Sequence, residues 1–258
     1  MIQYNDYFGY QIYGDTIGEA WLDLLECVLK NGELEMDEKR RRFALQNVRV
    51  RVKQQKLPDL LLEKFADKNN INEMIRLVFK DEVMEDMDIT PSFMKGAKSY
   101  FARIKEGRMI DFVVKRLTEI PESKKAVIVF PTYEDYAKVL NSPYNDYLPC
   151  IVSIQIRLRP KQGGGWIANT IFNMRSSDIY QKFPGNLTVI TMMAQSIAER
   201  LSKNLNTEVL LGYLDGTITD VHLYQNTFNS AQAVSISYLE SKYSDKHSGK
   251  LSEMTARL

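Results

Sequence analysis

The stretch DYLPCIVSIQIRLRPKQGGGWIANTIFNM, residues 146–174, decides how the chain is read. From Cys150 onward Ile154, Ile156 and Leu158 alternate with Ser153, Gln155 and Arg157, the period of two that marks a half-buried strand. Residues 166–174 repeat the pattern after PKQGGG, so the segment predicts a β-hairpin. No helix opening with a lysine and a hydroxyl follows the three glycines, and they read as a hairpin loop rather than a phosphate cradle. Cys150 follows Pro149 at the strand start. It is either a nucleophile presented by the sheet or a small apolar residue in a core, since free cysteine is among the most buried residue types.

Outward from this hairpin, Leu187, Ile190, Ala194, Ile197, Leu201 and Leu205 form one helical stripe and predict a core helix over 187–205. EVLLGYLDGTITDVHLY, residues 208–224, reads as two strands around an Asp215-Gly216 turn. Toward the N-terminus, TIGEAWLDLLECVLKNG (16–32) predicts a helix capped by Thr16 and stopped at Gly32, with Cys27 as a packing residue. FALQNVRVRV (43–52) predicts a strand, 70–80 and 107–119 predict helices, and AVIVF (126–130) a short buried strand ended by Pro131. Residues 1–15 and 243–258 are expected to be peripheral or frayed. The elements predict an α/β chain of the α+β kind. One domain, 1–258, would hold a mixed, largely antiparallel sheet around a long buried helix.

With 34 Lys and Arg against 33 Asp and Glu, the chain has no global field for nucleic acid or an anionic membrane. The basic run EKRRR (38–42) is a solvated loop or a local phosphate loop; without interleaved aromatics it does not suggest a nucleic-acid surface. Two cysteines and two histidines give neither a disulfide framework nor a zinc spacing, so no metal is expected. The absence of a long apolar run predicts a soluble, cytoplasmic protein.

IPESKKAV, YLPCIVSIQ, MRSSDIYQKFPGN and TDVHLYQN occur in this order and together resemble the thymidylate synthase family over about residues 20–228. PCIVSIQ, RSSDIYQKFPGN and SIAERL are most similar to its archaeal-type members, and the short tail resembles that of pyrimidine nucleotide hydroxymethylases. Ile151 stands where the family has a histidine, Lys182 where it has a glycine, Gly185 for a phenylalanine and Glu38 for a phosphate-loop arginine. These departures mark a divergent branch, in which Lys39, Arg40, Arg41 or Arg42 would take over the phosphate contact.

The resemblance implies a sheet-faced homodimer and an enzyme that places a methyl or hydroxymethyl group on C5 of a uridine nucleotide monophosphate, with dUMP favoured. The carbon donor would be 5,10-methylenetetrahydrofolate or a tetrahydromethanopterin analogue. Cys150 would add to C6 of the ring, making C5 nucleophilic, which requires a thiolate and hence nearby cations. Glu73 would act as general acid and base at O4, and Tyr100 would order the water between them. Arg175, Ser176, Lys124 and Lys125 would bind phosphate, the two lysines from across the dimer. Asn186 would read the uracil edge, His222 and Tyr224 the 3′-hydroxyl, and Asp178 the pterin; Asp220 would organise the approach to His222. The residues alone leave other roles open. Glu73 fits the solvated face of a helix, and His222 fits a structural histidine on a strand. A repurposed, non-catalytic nucleotide-binding protein with a regulatory or assembly role is the competing expectation.

Overall fold

A computed structural model of the chain describes residues 1–5, 9–37, 40–84, 97–141 and 147–255, with side chains to residue 242. In chain order the elements are β1 (Ile2–Asn5), β2 (Gly9–Gly14), α1 (Ile17–Asn31), β3 (Glu33–Asp37), β4 (Arg40–Val52), α2 (Leu60–Phe65), α3 (Lys68–Phe79), α4 (Tyr100–Gly107) and α5 (Met109–Glu119). There follow β5 (Val127–Val129), α6 (Tyr133–Asn141), β6 (Ile151–Pro160), β7 (Trp166–Asp178), α7 (Phe183–Leu205), β8 (Val209–Tyr224) and α8 (Phe228–Thr255). The strands form one mixed sheet in the order β1-β2-β4-β8-β7-β6-β5, with β3 also on β4. Among the described residues only β2·β4 and β7·β8 are parallel pairs, so the fold is α+β with a mostly antiparallel sheet.

The period-two segment is the expected hairpin: β6 pairs antiparallel with β7 from Pro160↔Trp166 back to Ile151↔Met174. α7 carries the predicted stripe. Leu187, Ile190, Ile197 and Leu201 are fully buried, each stabilising by about 1.5–3 kcal/mol relative to exposure. α1 is capped by the Thr16 side chain, which accepts the Glu19 N–H, and its Trp21 indole N–H donates to the Ile179 carbonyl at 2.8 Å. α1 and α7 together cover one face of the sheet, while Arg49, Asn173 and Thr217 are exposed on the other. Residues 9–14 are not frayed: β2 lies parallel beside β4 and Ile12 is wholly buried. The tail stays helical to Thr255. Among the described residues no helix is long and apolar enough to cross a membrane.

Residues 208–224 are not the two strands that Asp215-Gly216 predicts but one strand, β8. Packing explains both residues. Asp215 is 5% exposed and accepts from Arg49 Nε (3.1 Å) and Nη2 (2.8 Å) and from Arg51 Nε (3.1 Å). Gly216 lies opposite Phe172, and a Cβ there would stand 2.5 Å from three ring carbons. The aspartate is an anchor for two cations and the glycine is room for a ring, neither of which needs a turn.

One irregularity positions everything that follows. In β4, β8 and β7 the buried set slips by one residue at a common level. Val48, Ile218 and Met174 are buried on one side of the slip and Leu45, Val221 and Ser177 on the other. Between them Gln46–Asn47, Thr219–Asp220 and Arg175–Ser176 turn two consecutive side chains per strand out of the core. Asn47 takes a φ of 56°, a conformation that asparagine tolerates better than most residues. β6 breaks register between Ile151 and Ser153 beside them, the mark of a bulge that bends a strand.

Gly216→Ala is expected to lower stability by about 1–3 kcal/mol through overpacking against Phe172, read as a lower urea midpoint. An unchanged midpoint would contradict the close packing of β7 on β8.

Candidate active site

Cys150 stands just before β6, half-buried, at the level of the slip. Arg175 grips the segment that leads to it. Its Nη2 donates to the Leu148 carbonyl at 2.7 Å, its Nε to the Pro149 carbonyl at 3.3 Å, and its backbone N–H to the Cys150 carbonyl at 2.9 Å. The same Nη2 lies 3.9 Å from Cys150 Sγ. A guanidinium carries five N–H donors, and the bonds to Leu148, Pro149 and Cys150 use those of Nε and Nη2 on an exposed side chain. Tyr100, first residue of α4, holds the other side: its hydroxyl accepts the Ile151 N–H at 3.0 Å and its ring packs edge-on against Phe130. Burial first, then the proximity of Cys150, pushes the Tyr100 phenol well above its usual range. Cys27 is the opposite case, wholly buried in α1 with its thiol pushed up to about 11 by burial.

Three residues past Arg175, Asp178 ends β7. Its Oδ1 accepts the N–H groups of Tyr180 and Gln181, both at 2.9 Å, and this turn delivers the chain into α7. Among the described residues its Oδ2 and the Gln181 Oε1 are buried acceptors without a hydrogen-bond partner. Burial raises the Asp178 carboxyl, against the pull of His222, the Gln181 N–H and Lys182. Asn186 sits in the first turn of α7, 3% exposed, with its amide nitrogen 3.4 Å from Ser177 Oγ.

In register beside these, Ser176 pairs with Asp220 and Asp178 with His222. Asp220 accepts both Nη atoms of Arg42 at 2.9 Å and touches His222 Nδ1 at 2.8 Å. Burial works against ionisation of Asp220, but the bonds to His222 and Arg42 outweigh it and hold the carboxyl below its usual range. Asp220 thus contacts the His222 ring directly from within β8, where no loop precedes His222 to be organised. The Tyr224 ring meets the His222 ring edge-on, its hydroxyl donates to Asp37 Oδ2 at 2.8 Å, and the Arg40 guanidinium lies 4.6 Å over its face.

The structure therefore collects Cys150, Arg175, Ser176, Tyr100, Asp178, Asn186, His222 and Tyr224 at one end of the sheet, on β6, β7, β8 and the starts of α4 and α7. Glu73 enters on α3, whose Met74 packs where a side chain at Gly185 would lie. Both Glu73 oxygens are engaged by Arg76 Nη1, at 2.9 and 3.0 Å. Lys124 and Lys125 are exposed before β5, and among the described residues their side chains make no ion pair or hydrogen bond. Of the candidate phosphate-loop residues, Lys39 lies outside the described residues, Arg41 is exposed, Arg40 covers Tyr224, and Arg42 is bound by Asp220 and Glu35. No group of three His, Cys, Asp or Glu side chains is placed for a metal among the described residues. Neither a protein-family model nor a curated protein matches the chain, so the site stands on this geometry.

Sequence reasoning did not anticipate Asp37, the Arg42–Asp220 pair or the buried pair under Tyr100, because each joins residues far apart in the chain. In the last, Arg103 and Asp135 bind through two 2.7 Å hydrogen bonds, with side chains 4% and 6% exposed, and the Thr132 backbone N–H and hydroxyl add two more to Asp135. Burial resists ionisation of Asp135, yet these bonds hold its carboxyl below the usual range. Its contribution is present above the ordinary aspartate value of about 3.9 and is lost as pH falls through the lower folded-state value. Asp135→Ala leaves Arg103 charged and buried and is expected to cost about 3–5 kcal/mol at neutral pH. The check is urea denaturation across pH, where wild type should lose its advantage over the variant on acidification.

Proposed function

We propose that the protein is a thymidylate synthase-like enzyme that transfers a one-carbon unit to C5 of a uridine nucleotide monophosphate. The observation that carries this reading is the pairing of a half-buried thiol with a guanidinium 3.9 Å away, beside the register break of β6. Arg175 places a positive charge beside the sulfur and keeps donors for a phosphate, the bidentate partner a guanidinium suits best. Cys150 sulfur bonds to C6 of the ring, and the C5–C6 electron pair moves through C4 onto O4 as an enolate. C5 would then attack the incoming carbon, the C5 proton would leave to a base as the bond from that carbon to its carrier nitrogen breaks, and hydride from the carrier (methyl product) or water (hydroxymethyl product) would add to the exocyclic carbon as the C6–S bond breaks to return the thiolate.

Asn186 offers an amide that both donates and accepts, which matches O4 and N3–H of uracil. The unpartnered acceptors of Asp178 and Gln181 fit the N–H edge of a pterin, so these residues would hold methylenetetrahydrofolate or a tetrahydromethanopterin analogue. That donor supplies the electrophilic carbon when bound, leaving a methyl or hydroxymethyl product. Glu73 would reach O4 through water after leaving Arg76, and Tyr100 holds the strand start that carries Cys150.

A homodimer through the open sheet face fits the same reading, with the unpaired Lys124 and Lys125 serving the neighbouring site. One observation favours the alternative, a nucleotide-binding protein without catalysis. The Glu73 carboxylate is held on both oxygens by Arg76, which is a resting place for a surface pair rather than an acid poised for transfer.

The test is tritium release from UMP and dUMP labelled at C5, with methylenetetrahydrofolate. Wild type should release tritium, and Cys150→Ser should lower release by at least about 10³-fold, on the scale of losing a covalent nucleophile. Mixing Cys150→Ser with a Lys124→Ala/Lys125→Ala variant should restore activity toward about a quarter of the wild-type sites. Release that survives Cys150→Ser contradicts the mechanism; nucleotide binding without release selects the alternative.

A further inference from the structure

The open face of the sheet carries a recess at the end remote from Cys150. Cys150 and Arg159 stand at opposite ends of β6, which sets them about 30 Å apart at ~3.3 Å per residue. The recess is a cavity of about 820 Å³, a size common for small-molecule sites. It crosses from Tyr13 on β2, over Arg51 on β4, Tyr213 on β8 and Ile167 and Asn169 on β7, to Arg159 on β6. An irregularity builds it. Ala168 pairs with Leu211 and Thr170 with Leu214, so Asn169 alone stands opposite both Gly212 and Tyr213. Bulges of this kind re-aim side chains and gather beside functional sites. Asn169 is 6% exposed, and its Oδ1 accepts the Tyr213 N–H at 3.2 Å. A backbone N–H can only donate, which fixes which amide atom is oxygen; the Nδ2 group makes no hydrogen bond among the described residues. Gly212 leaves the room, since a Cβ there would stand 2.1 Å from that Oδ1 and 2.6 Å from Ile167 Cγ2.

Donors are in excess around this amide. Arg159 pairs across the hairpin with Ile167, which makes it the diagonal neighbour of Asn169 on the same face. It is exposed, and its guanidinium makes no ion pair or hydrogen bond among the described residues. Arg51 is fixed on Asp215 through Nε and Nη2 and lies 4.9 Å over the Tyr213 ring, which leaves its Nη1 unused among the described residues. The carboxylates on the rim are taken: Asp15 faces Lys53 at 3.5 Å, and Glu19 accepts the Asp15 N–H at 2.7 Å. A buried amide and two guanidinium groups with spare N–H bonds require acceptors, and a guanidinium matches the paired oxygens of phosphate or carboxylate. We propose that this cavity is a second ligand site, which takes a planar ring bearing a compact oxyanion. The oxyanion would meet Asn169, Arg159 and Arg51, and the ring would lie on Tyr13, Tyr213 and Ile167. No residue of the Cys150 end takes part, so this inference does not rest on the proposed function.

The experiment is isothermal titration of the full chain with AMP, benzoate, adenosine and inorganic phosphate. AMP or benzoate should bind with a Kd below about 1 mM, and the tighter of the two names the oxyanion as phosphate or carboxylate. Adenosine, which lacks the oxyanion, and inorganic phosphate, which lacks the ring, should bind at least about tenfold more weakly than AMP if phosphate is preferred. Arg159→Ala removes an exposed side chain and should weaken the tighter probe at least about tenfold without moving the urea midpoint. Asn169→Asp keeps an oxygen for the Tyr213 N–H but loses the amide donors, and should weaken it as much. Arg200→Ala, on α7, should leave binding within about twofold. Failure of both AMP and benzoate to bind overturns the inference. So does an Arg159→Ala variant that binds as wild type does, and binding that is lost in Arg175→Ala but kept in Arg159→Ala, which would place the probe at the Cys150 end. C5 tritium release tests Cys150 separately, so either proposal can fail alone.

Discussion

The clasp of Arg175 on the chain leading to Cys150 is the contact on which the site depends. Its guanidinium binds the carbonyls of Leu148 and Pro149, its backbone N–H binds that of Cys150, and its Nη2 lies 3.9 Å from the sulfur. One residue thus fixes where β6 begins, how far the thiol is buried and what charge accompanies it. The clasp is possible because β7 slips phase at Arg175–Ser176, turning two neighbouring side chains out of a face that would otherwise alternate them. The same slip in β8 exposes Asp220, which then sets Arg42 and His222. A bend shared by neighbouring strands therefore links the Cys150 end of the site to its His222 end.

Much of the scaffold was legible because it is built from long periodic segments. α1 and α7 are buried over most of their surface, α7 without a break from Phe183 to Thr191, and the β6–β7 hairpin keeps its alternation over most of its length. β8 was misread because Asp-Gly is a turn signal only when nothing else requires those residues. Here Arg49 and Arg51 require the carboxylate and Phe172 requires the missing side chain. β1 and β3 offered no apolar rhythm, since edge strands such as Ile2–Asn5 and Glu33–Asp37 bury little. The slip itself was visible in hindsight: Phe43 and Leu45 keep one phase and Val48, Val50 and Val52 the other, with Gln46 and Asn47 between.

Site residues divide in the same way. Cys150, Arg175, Asn186, Asp178, His222 and Tyr224 lie in short quotable motifs, and the fold brings their elements to one end of the sheet. The side chains that hold His222 and Tyr224 were not legible, because Asp37 and Arg42 lie up to 187 positions away. A sequence motif names the groups that can meet a ligand. Which of them donate and which accept is settled by the second set of side chains that hold them.

The central claim is that Cys150 sulfur bonds to a pyrimidine ring during turnover. Fluorine at C5 cannot leave as a proton does, so a 5-fluoro nucleotide should stall the reaction with the sulfur still attached. The direct measurement is peptide mass spectrometry after incubating the protein with 5-fluoro-UMP or its deoxy counterpart and methylenetetrahydrofolate. A mass gain of the nucleotide, with or without the carbon carrier, on the peptide holding Cys150 is the predicted result. Bound nucleotide with no covalent adduct, or an adduct on the peptide holding Cys27, would contradict it.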